Sequence, residues 1–429
     1  MADWIGAAAA AQRLGIKQAS LYSYVSRGVL TRRSGPDGRA SLFDAGEVES
    51  LARRGRPRRE PGAAELVIET ALTEIDGDRL WYRGLDATAL AASRTFEEVA
   101  GFLWTGSFTD AATAAPWHAT GEAIGVGAAA QAALPAGTLP LERLQVIVPA
   151  LAATDPLRLQ LDPPAVIAAA RGMIAGLVDC LPAAVPSGAS YGATPGPVAT
   201  PGPGATPGPG PGAEPGPSIA ARLAARLCRD PEQPGLTVIL QAALVLLADH
   251  ELAASTLAAR VAASVRADPY AVVATGLGAL GGALHGGASL RAELMLASAR
   301  EPSDAARVVG ELLRRGERIP GLGHFVYKTG DPRSVLLLSM IRKLAPDSLR
   351  LAVADAVLAE ARRRALPEPN IDFALAALAD TAGLITGAGE ALFAVARSAG
   401  WLAHALEEYA RQRPIRPRGI YTGPPRQPS

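Results

Sequence analysis

The stretch that decides the fold class is residues 218–228, which read SIAARLAARLC. Its apolar residues Ile219, Leu223 and Leu227 recur every four positions, which places them on one face of an α-helix. Comparable patterns predict helices along most of the chain, over 96–104, 165–177, 236–247, 305–315, 334–344, 349–363 and 374–384. Alternating strand patterns are scarce, the best being 66–72 and 79–82. The sequence therefore predicts a mainly α protein.

Length and composition narrow the class of protein. The chain has 429 residues, of which 49% are hydrophobic, enough for two or three domains with buried cores. Its cysteines, Cys180 and Cys228, offer neither a disulfide framework nor a cysteine metal cluster, and they favour a cytoplasmic protein. The apolar start lacks the basic region of a signal peptide. The uncharged window 270–290 is long enough to span a membrane, but its six glycines favour a buried helix and loop.

Low-complexity stretches divide the chain. Arg- and Pro-rich residues predict a linker at 56–64 between an N-terminal module at 1–55 and a body at 65–425. Within the body, ATPGPVATPGPGATPGPGPGAEPGP at 193–217 cannot pack a core, because proline removes backbone donors and glycine raises the entropy cost of ordering. We expect a disordered Pro/Gly-rich insertion at about 185–217, and an extended tail after Arg413.

The N-terminal module is basic, with eleven Lys or Arg against six Asp or Glu in residues 1–60. Its pattern predicts helices over 7–14 and 18–27, and a further helix from Asp44. LGIKQASLYSYVSRGVL followed by GRASLFD resembles the winged helix-turn-helix of MerR-like regulators. That resemblance implies a second helix in the DNA major groove, with Lys and Arg on phosphates. The alternative is a small helical domain that docks onto the body or onto a partner protein.

Three of the five histidines stand in unusual settings. His285 lies in GGALHGGAS, where flanking glycines permit close backbone approach at an expected loop-to-helix junction. His324 lies in PGLGHFVYKTGDPRS, and His250 ends LLADH between acidic neighbours. Their spacings match no zinc pattern, so no metal site is expected. GASYG at 188–192 lacks the strand and helix of a hydrolase nucleophile elbow.

Seven motifs in order, over residues 66–423, resemble citrate synthase. They are EIDGDRLWYRG, ADHELAAS, LHGGAS, GLGHFVYKTGDPR, NIDFAL, ARSAGW and RPIRPRGIYTGP. The resemblance implies a body of a large and a small helical domain, the small one spanning about 283–380 and closing over the site. It also implies condensation of acetyl-CoA with oxaloacetate, followed by thioester hydrolysis to citrate and CoA, with no tightly bound cofactor.

The residue types fit this implied chemistry. A thioester methyl is a weak carbon acid that needs a positioned carboxylate base and a donor to the enolate oxygen, and Asp372 and His285 match these roles. His324 matches the group that polarises the ketone of oxaloacetate. Taken alone, Asp372 would be interpreted as a helix N-cap before FALAALA.

Substrate binding is implied for a second set of residues. The positions that match the oxaloacetate-binding set are His250, Arg333, Arg397 and Arg416, while Lys328 matches a position near the CoA phosphates. Residues 362–364 are weaker candidates for the same phosphates. Because the counterpart of Arg416 reaches the neighbouring subunit's site, the resemblance implies at least a homodimer. Taken singly, Arg397 and Arg416 would each be interpreted as a solvated surface charge.

The alternatives come from two classes. A serine at the position of Ser289 is found among relatives that act on citrate and among those that act on 2-methylcitrate. The alternative that the protein is a 2-methylcitrate synthase using propionyl-CoA therefore remains. The other is a DNA-binding regulator whose body senses oxaloacetate or CoA esters. Leu290 and Ala253 depart from the Glu and Asn of many family members.

Overall fold

The chain divides into two compact units, residues Met1–Glu69 with Arg416–Ser429 and residues Thr70–Ile415. A computed structural model describes residues 4–14, 18, 21, 24–25, 30–35, 41–48, 67–108, 117–184, 216–419 and 422–423. Most of the predicted insertion, the linker at 56–64, the GASYG stretch and most of the predicted helix over 18–27 lie outside these residues.

The first unit contains a small antiparallel sheet. Strands β1 (Trp4–Gly6), β2 (Arg32–Ser34) and β3 (Ser41–Asp44) pair in the order β1-β3-β2. Helix α1 (Ala7–Leu14) follows β1 and confirms the helix predicted there. The side chain of Phe43 is fully buried in a core completed by Ala10, Ala11, Leu21, Leu30 and Val48.

The second unit begins with a three-stranded meander of β4 (Thr73–Asp76), β5 (Arg79–Tyr82) and β6 (Leu85–Asp86). The strand predicted at 79–82 is confirmed, but the one predicted at 66–72 is wrong, because pairing starts at Thr73 opposite Tyr82. The register follows from the tight turn at Gly77, which has a φ of +59° and brings Asp76 opposite Arg79.

The rest of the unit is helical, as predicted. The helices are α2 (Ala87–Ser93), α3 (Phe96–Thr105), α4 (Gly121–Ala132), α5 (Pro140–Ala153), α6 (Pro163–Asp179), α7 (Ile219–Leu227), α8 (Leu236–Leu247), α9 (Ala254–Ser264), α10 (Pro269–Leu280), α11 (Gly287–Ala297), α12 (Ala305–Arg314), α13 (Pro332–Leu344), α14 (Leu349–Arg363), α15 (Ile371–Ala382) and α16 (Ala388–Arg411). The window 270–290 forms α10, a turn and the start of α11. Among the described residues, no helix is long and apolar enough to cross a membrane.

Helix α16 is the central element of this unit, and helices α3, α6, α8, α9 and α10 pack around it. The α10 contact depends on Gly276, where a Cβ would lie 2.6 Å from the ring of Trp401. Gly400 is equally tight, since a Cβ there would lie 2.3 Å from the carbonyl oxygen of Ala248. These close approaches fix α16, and with it Arg397, against the segment that carries His250.

Candidate active site

His324 lies in the loop between α12 and α13, and the backbone of that loop holds its ring. Nδ1 accepts hydrogen bonds from the amides of Val326 at 3.1 Å and Tyr327 at 3.4 Å. Burial lowers the pKa of His324 to about 4, and the charge of Arg333 is the second largest cause. The ring is therefore neutral at pH 7, and its proton is on Nε2 because Nδ1 is an acceptor.

His250 lies beside His324. The two ring centroids are 5.3 Å apart, and Nε2 of His250 is 3.0 Å from the hydroxyl of Tyr327. Burial lowers the pKa of His250 well below its usual range, and the charges of Arg333 and Arg397 lower it further. The imidazole is thus a neutral hydrogen-bonding group in a cationic environment.

His285 stands in the turn before α11, which confirms the predicted loop-to-helix junction. Its Nε2 is 2.8 Å from the Ser255 hydroxyl, and its ring meets Phe393 edge to face at 5.8 Å. Burial lowers the pKa of His285 to about 4, and the charge of Arg397 is the second largest cause. This ring too is neutral at pH 7.

Asp372 lies in the first turn of α15, which begins three residues before the predicted start. The N-cap is Asn370, whose side chain accepts the Asp372 amide at 3.0 Å, so the N-cap interpretation of Asp372 is wrong. The Ser289 hydroxyl donates to the Asp372 carboxylate at 2.5 Å. Burial raises the pKa of Asp372 to about 6, although Ser289 and Arg333 oppose the rise. The group is mostly ionised at pH 7 and more basic than an ordinary aspartate.

Arg397 is a buried cation with unused donors. Its side chain is 1% exposed, and Nε donates to the carbonyl oxygen of Leu247 at 2.8 Å. Neither Nη1 nor Nη2 has a hydrogen-bond partner among the described residues. A buried guanidinium with two unsatisfied nitrogens is suited to bind an anion such as a carboxylate.

Arg333 differs, because a carboxylate already pairs with it. Its Nε and Nη2 donate to the two oxygens of Asp331 at 2.9 and 2.8 Å. Asp331 also accepts the Ile371 amide at 3.0 Å, which ties this pair to the start of the helix that carries Asp372. The guanidinium lies 5.4 Å from the centre of the Tyr327 ring, so Arg333 borders the His250 and His324 cluster.

Lys328 lies at the surface of a cavity of about 770 Å³, which Arg318, His324 and Phe325 also line. Its ammonium donates to the Phe325 carbonyl at 2.6 Å.

The weaker phosphate candidates at 362–364 have carboxylate partners. Arg363 and Arg364 pair with Glu360, while Arg362 lies 3.6 Å from Glu368.

Six of the predicted site residues thus share one electrostatic environment: His250, His285, His324, Arg333, Asp372 and Arg397. Arg416 is exposed in a segment without regular secondary structure that belongs to the first unit. The remaining histidines lie elsewhere, since His404 bonds Asp249 at 3.1 Å and His118 lines a separate cavity of about 300 Å³. Within the described ranges, no three His, Cys, Asp or Glu side chains form a group able to hold a metal.

Sequence reasoning missed four residues that hold the site together. Tyr327 bonds His250, Ser255 bonds His285, Asp331 pairs with Arg333, and Ser289 bonds Asp372. Each lies within one of the quoted motifs, so proximity in sequence was the available signal. Ala253, at a departure from the usual motif, is the N-cap of α9 and makes no side-chain capping bond.

Comparison with known proteins places the chain in a family. The family model described as citrate synthase, C-terminal domain, matches residues 63–418. Citrate synthase 2 of Bacillus subtilis (strain 168) is 41% identical over 192 residues, which cover 43% of this chain and 50% of that protein. A 2-methylcitrate synthase of Shewanella oneidensis is 34% identical over 192 residues, covering 44% of this chain and 51% of that one.

A solved structure shows the same architecture. The ternary complex of carboxymethyl coenzyme A and oxaloacetate with citrate synthase from Thermoplasma acidophilum superposes with a TM-score of 0.66 at 25% identity. That match covers 85% of this chain and 96% of the other. The aligned part of this chain spans about half the length of the curated relatives it matches. Since the family model covers most of the chain, the chain belongs to the citrate synthase family.

Proposed function

We propose that this protein is a citrate synthase, which condenses acetyl-CoA with oxaloacetate and hydrolyses the resulting thioester to citrate and CoA. The observation that carries the proposal is Arg397, a buried guanidinium with two unpartnered nitrogens beside neutral histidines and a basic aspartate. Such a site can bind a carboxylate substrate beside groups that remove a proton from a carbon atom. No tightly bound cofactor takes part, and the CoA thioester is a substrate.

In the first step, Asp372 removes a proton from the methyl group of acetyl-CoA. The enolate oxygen that develops accepts a hydrogen bond from His285. For this donation the ring carries its proton on Nδ1, and the Ser255 hydroxyl, 2.8 Å from Nε2, then donates to that nitrogen. A neutral ring suits this role, since it donates one hydrogen bond without first losing a proton.

In the second step, the enolate carbon attacks the ketone of oxaloacetate. His324 donates from Nε2 to the ketone oxygen as it becomes an alkoxide, because Nδ1 is occupied by two loop amides. Arg397, Arg333 and His250 bind the oxaloacetate carboxylates. Lys328, at the cavity of about 770 Å³, faces the CoA phosphates. Closure of a small domain at 283–380 excludes bulk water during the condensation step.

The test is thiol release from acetyl-CoA with oxaloacetate, followed in parallel with propionyl-CoA. Release that requires both substrates supports the proposal, and the preferred acyl group separates citrate from 2-methylcitrate synthesis. Similarity to the Shewanella 2-methylcitrate synthase makes the second substrate worth measuring. A folded protein that binds oxaloacetate but releases no thiol from either ester would favour the ligand-sensing regulator.

We also propose that the protein is a cytoplasmic homodimer in which Arg416 completes the partner subunit's site. The exposed position of Arg416, outside the unit that carries the other site residues, is compatible with this role. Mixing inactive Arg416→Ala with inactive Asp372→Asn subunits should restore up to about a quarter of wild-type activity, because half of the random dimers hold one intact site. No recovery after subunit exchange would exclude a shared site.

The N-terminal unit is proposed to be a MerR-like DNA-binding module. The support is its antiparallel sheet beside α1, the exposed arginines Arg32 and Arg33 on β2, and its basic composition. The full chain should bind duplex DNA more tightly than a variant beginning near Glu65, with an affinity that falls as salt rises. Equal binding by both proteins at low salt would leave docking onto protein as the alternative.

A further inference from the structure

The carboxylate of Asp78, in the turn between β4 and β5, holds a distant loop. One oxygen accepts the amide of Lys328 at 2.8 Å. The other accepts the amide of Thr329 at 3.1 Å and also the Thr329 hydroxyl. These hydrogen bonds keep the pKa of Asp78 below its usual range, and the bond from the Thr329 hydroxyl contributes most. The carboxylate therefore stays ionised and an acceptor at neutral pH.

The loop that Asp78 holds is the one whose backbone orients His324. The amides of Val326 and Tyr327, which bond Nδ1 of His324, directly precede Lys328. The Tyr327 hydroxyl lies 3.0 Å from His250. A shift of the backbone at Lys328 would thus change the direction of the His324 ring and the position of Tyr327 together.

The two ends of the loop have their own attachments, so the contribution of Asp78 lies in the middle. At the N-terminal end, the Asn370 side chain donates to the carbonyl of Gly323 at 2.7 Å. At the other end, Asp331 pairs with Arg333 and accepts the Ile371 amide. Between these ends, Asp78 provides the hydrogen bonds that tie the loop backbone to a different part of the chain.

We propose that Asp78 is a positioning residue of the condensing site, which sets the backbone path of residues 324–329 and through it the donor direction of His324 and the placement of Lys328. This inference rests on the proposed citrate synthase function. Asp78 acts in it through its hydrogen bonds to Lys328 and Thr329 and is assigned no role on the substrates themselves.

The first test measures the loop without reference to catalysis. Hydrogen exchange of the Lys328 and Thr329 amides is compared in the wild type, Asp78→Ala and Asp78→Asn. Asp76→Asn is the matched control, since Asp76 is exposed in the same hairpin and its side chain has no hydrogen bond or ion pair with the described residues. We expect exchange on the order of tenfold faster in Asp78→Ala, an intermediate rate in Asp78→Asn and no change in the control.

The second test is kinetic. With oxaloacetate saturating, kcat/KM for acetyl-CoA should fall about tenfold in Asp78→Ala and less in Asp78→Asn, which keeps one acceptor oxygen. The dissociation constant of oxaloacetate should rise by less than kcat/KM falls, because Arg397 lies on a separate buried helix and Arg333 is held by Asp331, so that only the contacts of His324 and His250 depend on the loop. A general loss of structure would instead weaken oxaloacetate binding and lower the unfolding midpoint together.

The variant Thr329→Val removes one donor to Asp78. If the two residues act through one contact, the double variant should exchange no faster than Asp78→Ala. Unchanged exchange in Asp78→Ala would overturn the inference, whatever the activity. Altered exchange with no thiol release in the wild type would instead contradict the proposed function while leaving the loop contact intact.

Discussion

Two arginines in the helical body are both fully buried, and they have opposite surroundings. Arg260 donates to Glu408 through Nε at 2.7 Å and through Nη2, and its Nη1 lies 2.8 Å from Glu407 and 2.6 Å from Nδ1 of His404. Arg397 has one carbonyl partner, and its Nη1 and Nη2 have none among the described residues. A buried guanidinium whose donors all have partners stabilises the scaffold. A buried guanidinium with unused donors is instead suited to bind a ligand. We therefore expect groups of the site to lower the free energy of unfolding, and groups of the scaffold to raise it.

The largest expected effect tests the site half of this contrast. Asp372→Asn should lower kcat about 1,000-fold or more, because the amide cannot accept the proton from the thioester methyl. The folded protein should gain up to about 3 kcal/mol of unfolding free energy at pH 7, because burial raises the pKa of Asp372 by about two units, to about 6, and so destabilises its ionised form. Steady-state kinetics and urea unfolding measure the two effects. A variant that is inactive because it has lost stability would break the contrast.

Arg260→Met tests the scaffold half. Removing one partner of a buried ion pair leaves Glu408 and Glu407 without their cation, which should cost about 3 to 4 kcal/mol of unfolding free energy. Urea denaturation measures the loss, with Arg397→Met as the matched control. Equal destabilisation by the two substitutions would mean that the number of partners does not distinguish scaffold from site.

Arg397→Gln should weaken oxaloacetate binding about 100-fold, since two charge-assisted hydrogen bonds to a carboxylate are lost. The free energy of unfolding should stay the same or rise, because a desolvated cation with few partners disappears. Calorimetric titration with oxaloacetate gives the affinity. Unchanged affinity would remove Arg397 from the binding set and contradict the observation on which the proposed function rests.

The smallest effect is the pH dependence. Asp372 must be ionised to act, so kcat/KM should fall about tenfold per pH unit below its pKa of about 6. The histidines His285 and His324, with pKa values of about 4, become charged only at lower pH. Glu390 has a pKa that burial raises to about 7, so Glu390→Gln is the control. A shift of the acid limb by more than one unit in that variant would assign the limb to Glu390.

Much of the fold follows from the sequence, because its helices have regular apolar periods and recognisable ends. The helix predicted over 236–247 matches α8 at both ends. The predicted strand at 66–72 failed because strand pairing depends on the turn at Gly77, not on the apolar content of one segment. The start of α15 was missed because Asn370, a polar residue with no periodic signal, caps it.

For the candidate site, the sequence offers candidates for the reactive groups but not for their hydrogen-bond partners. His285, His324 and Asp372 stand out as residue types that the implied chemistry requires. Their partners, Ser255, Ser289 and Tyr327, are ordinary residue types, and only the folded chain brings Ser289 to Asp372, 83 positions away. The unpaired state of Arg397 is likewise a property of its surroundings, which no local pattern encodes.

The two amides that face Nδ1 of His324 also have a consequence for sequence change. The orientation of this imidazole is specified by main-chain atoms, which every residue except proline supplies. A substitution at Val326 can therefore alter the side chain without turning the ring, provided that it is not proline, whereas the Tyr327 side chain is also needed for its hydrogen bond with His250. Phe325, which is 91% exposed in the same loop, shows how free a neighbouring side chain is. The loop can diversify its outer surface through evolution while the ring it carries keeps one direction.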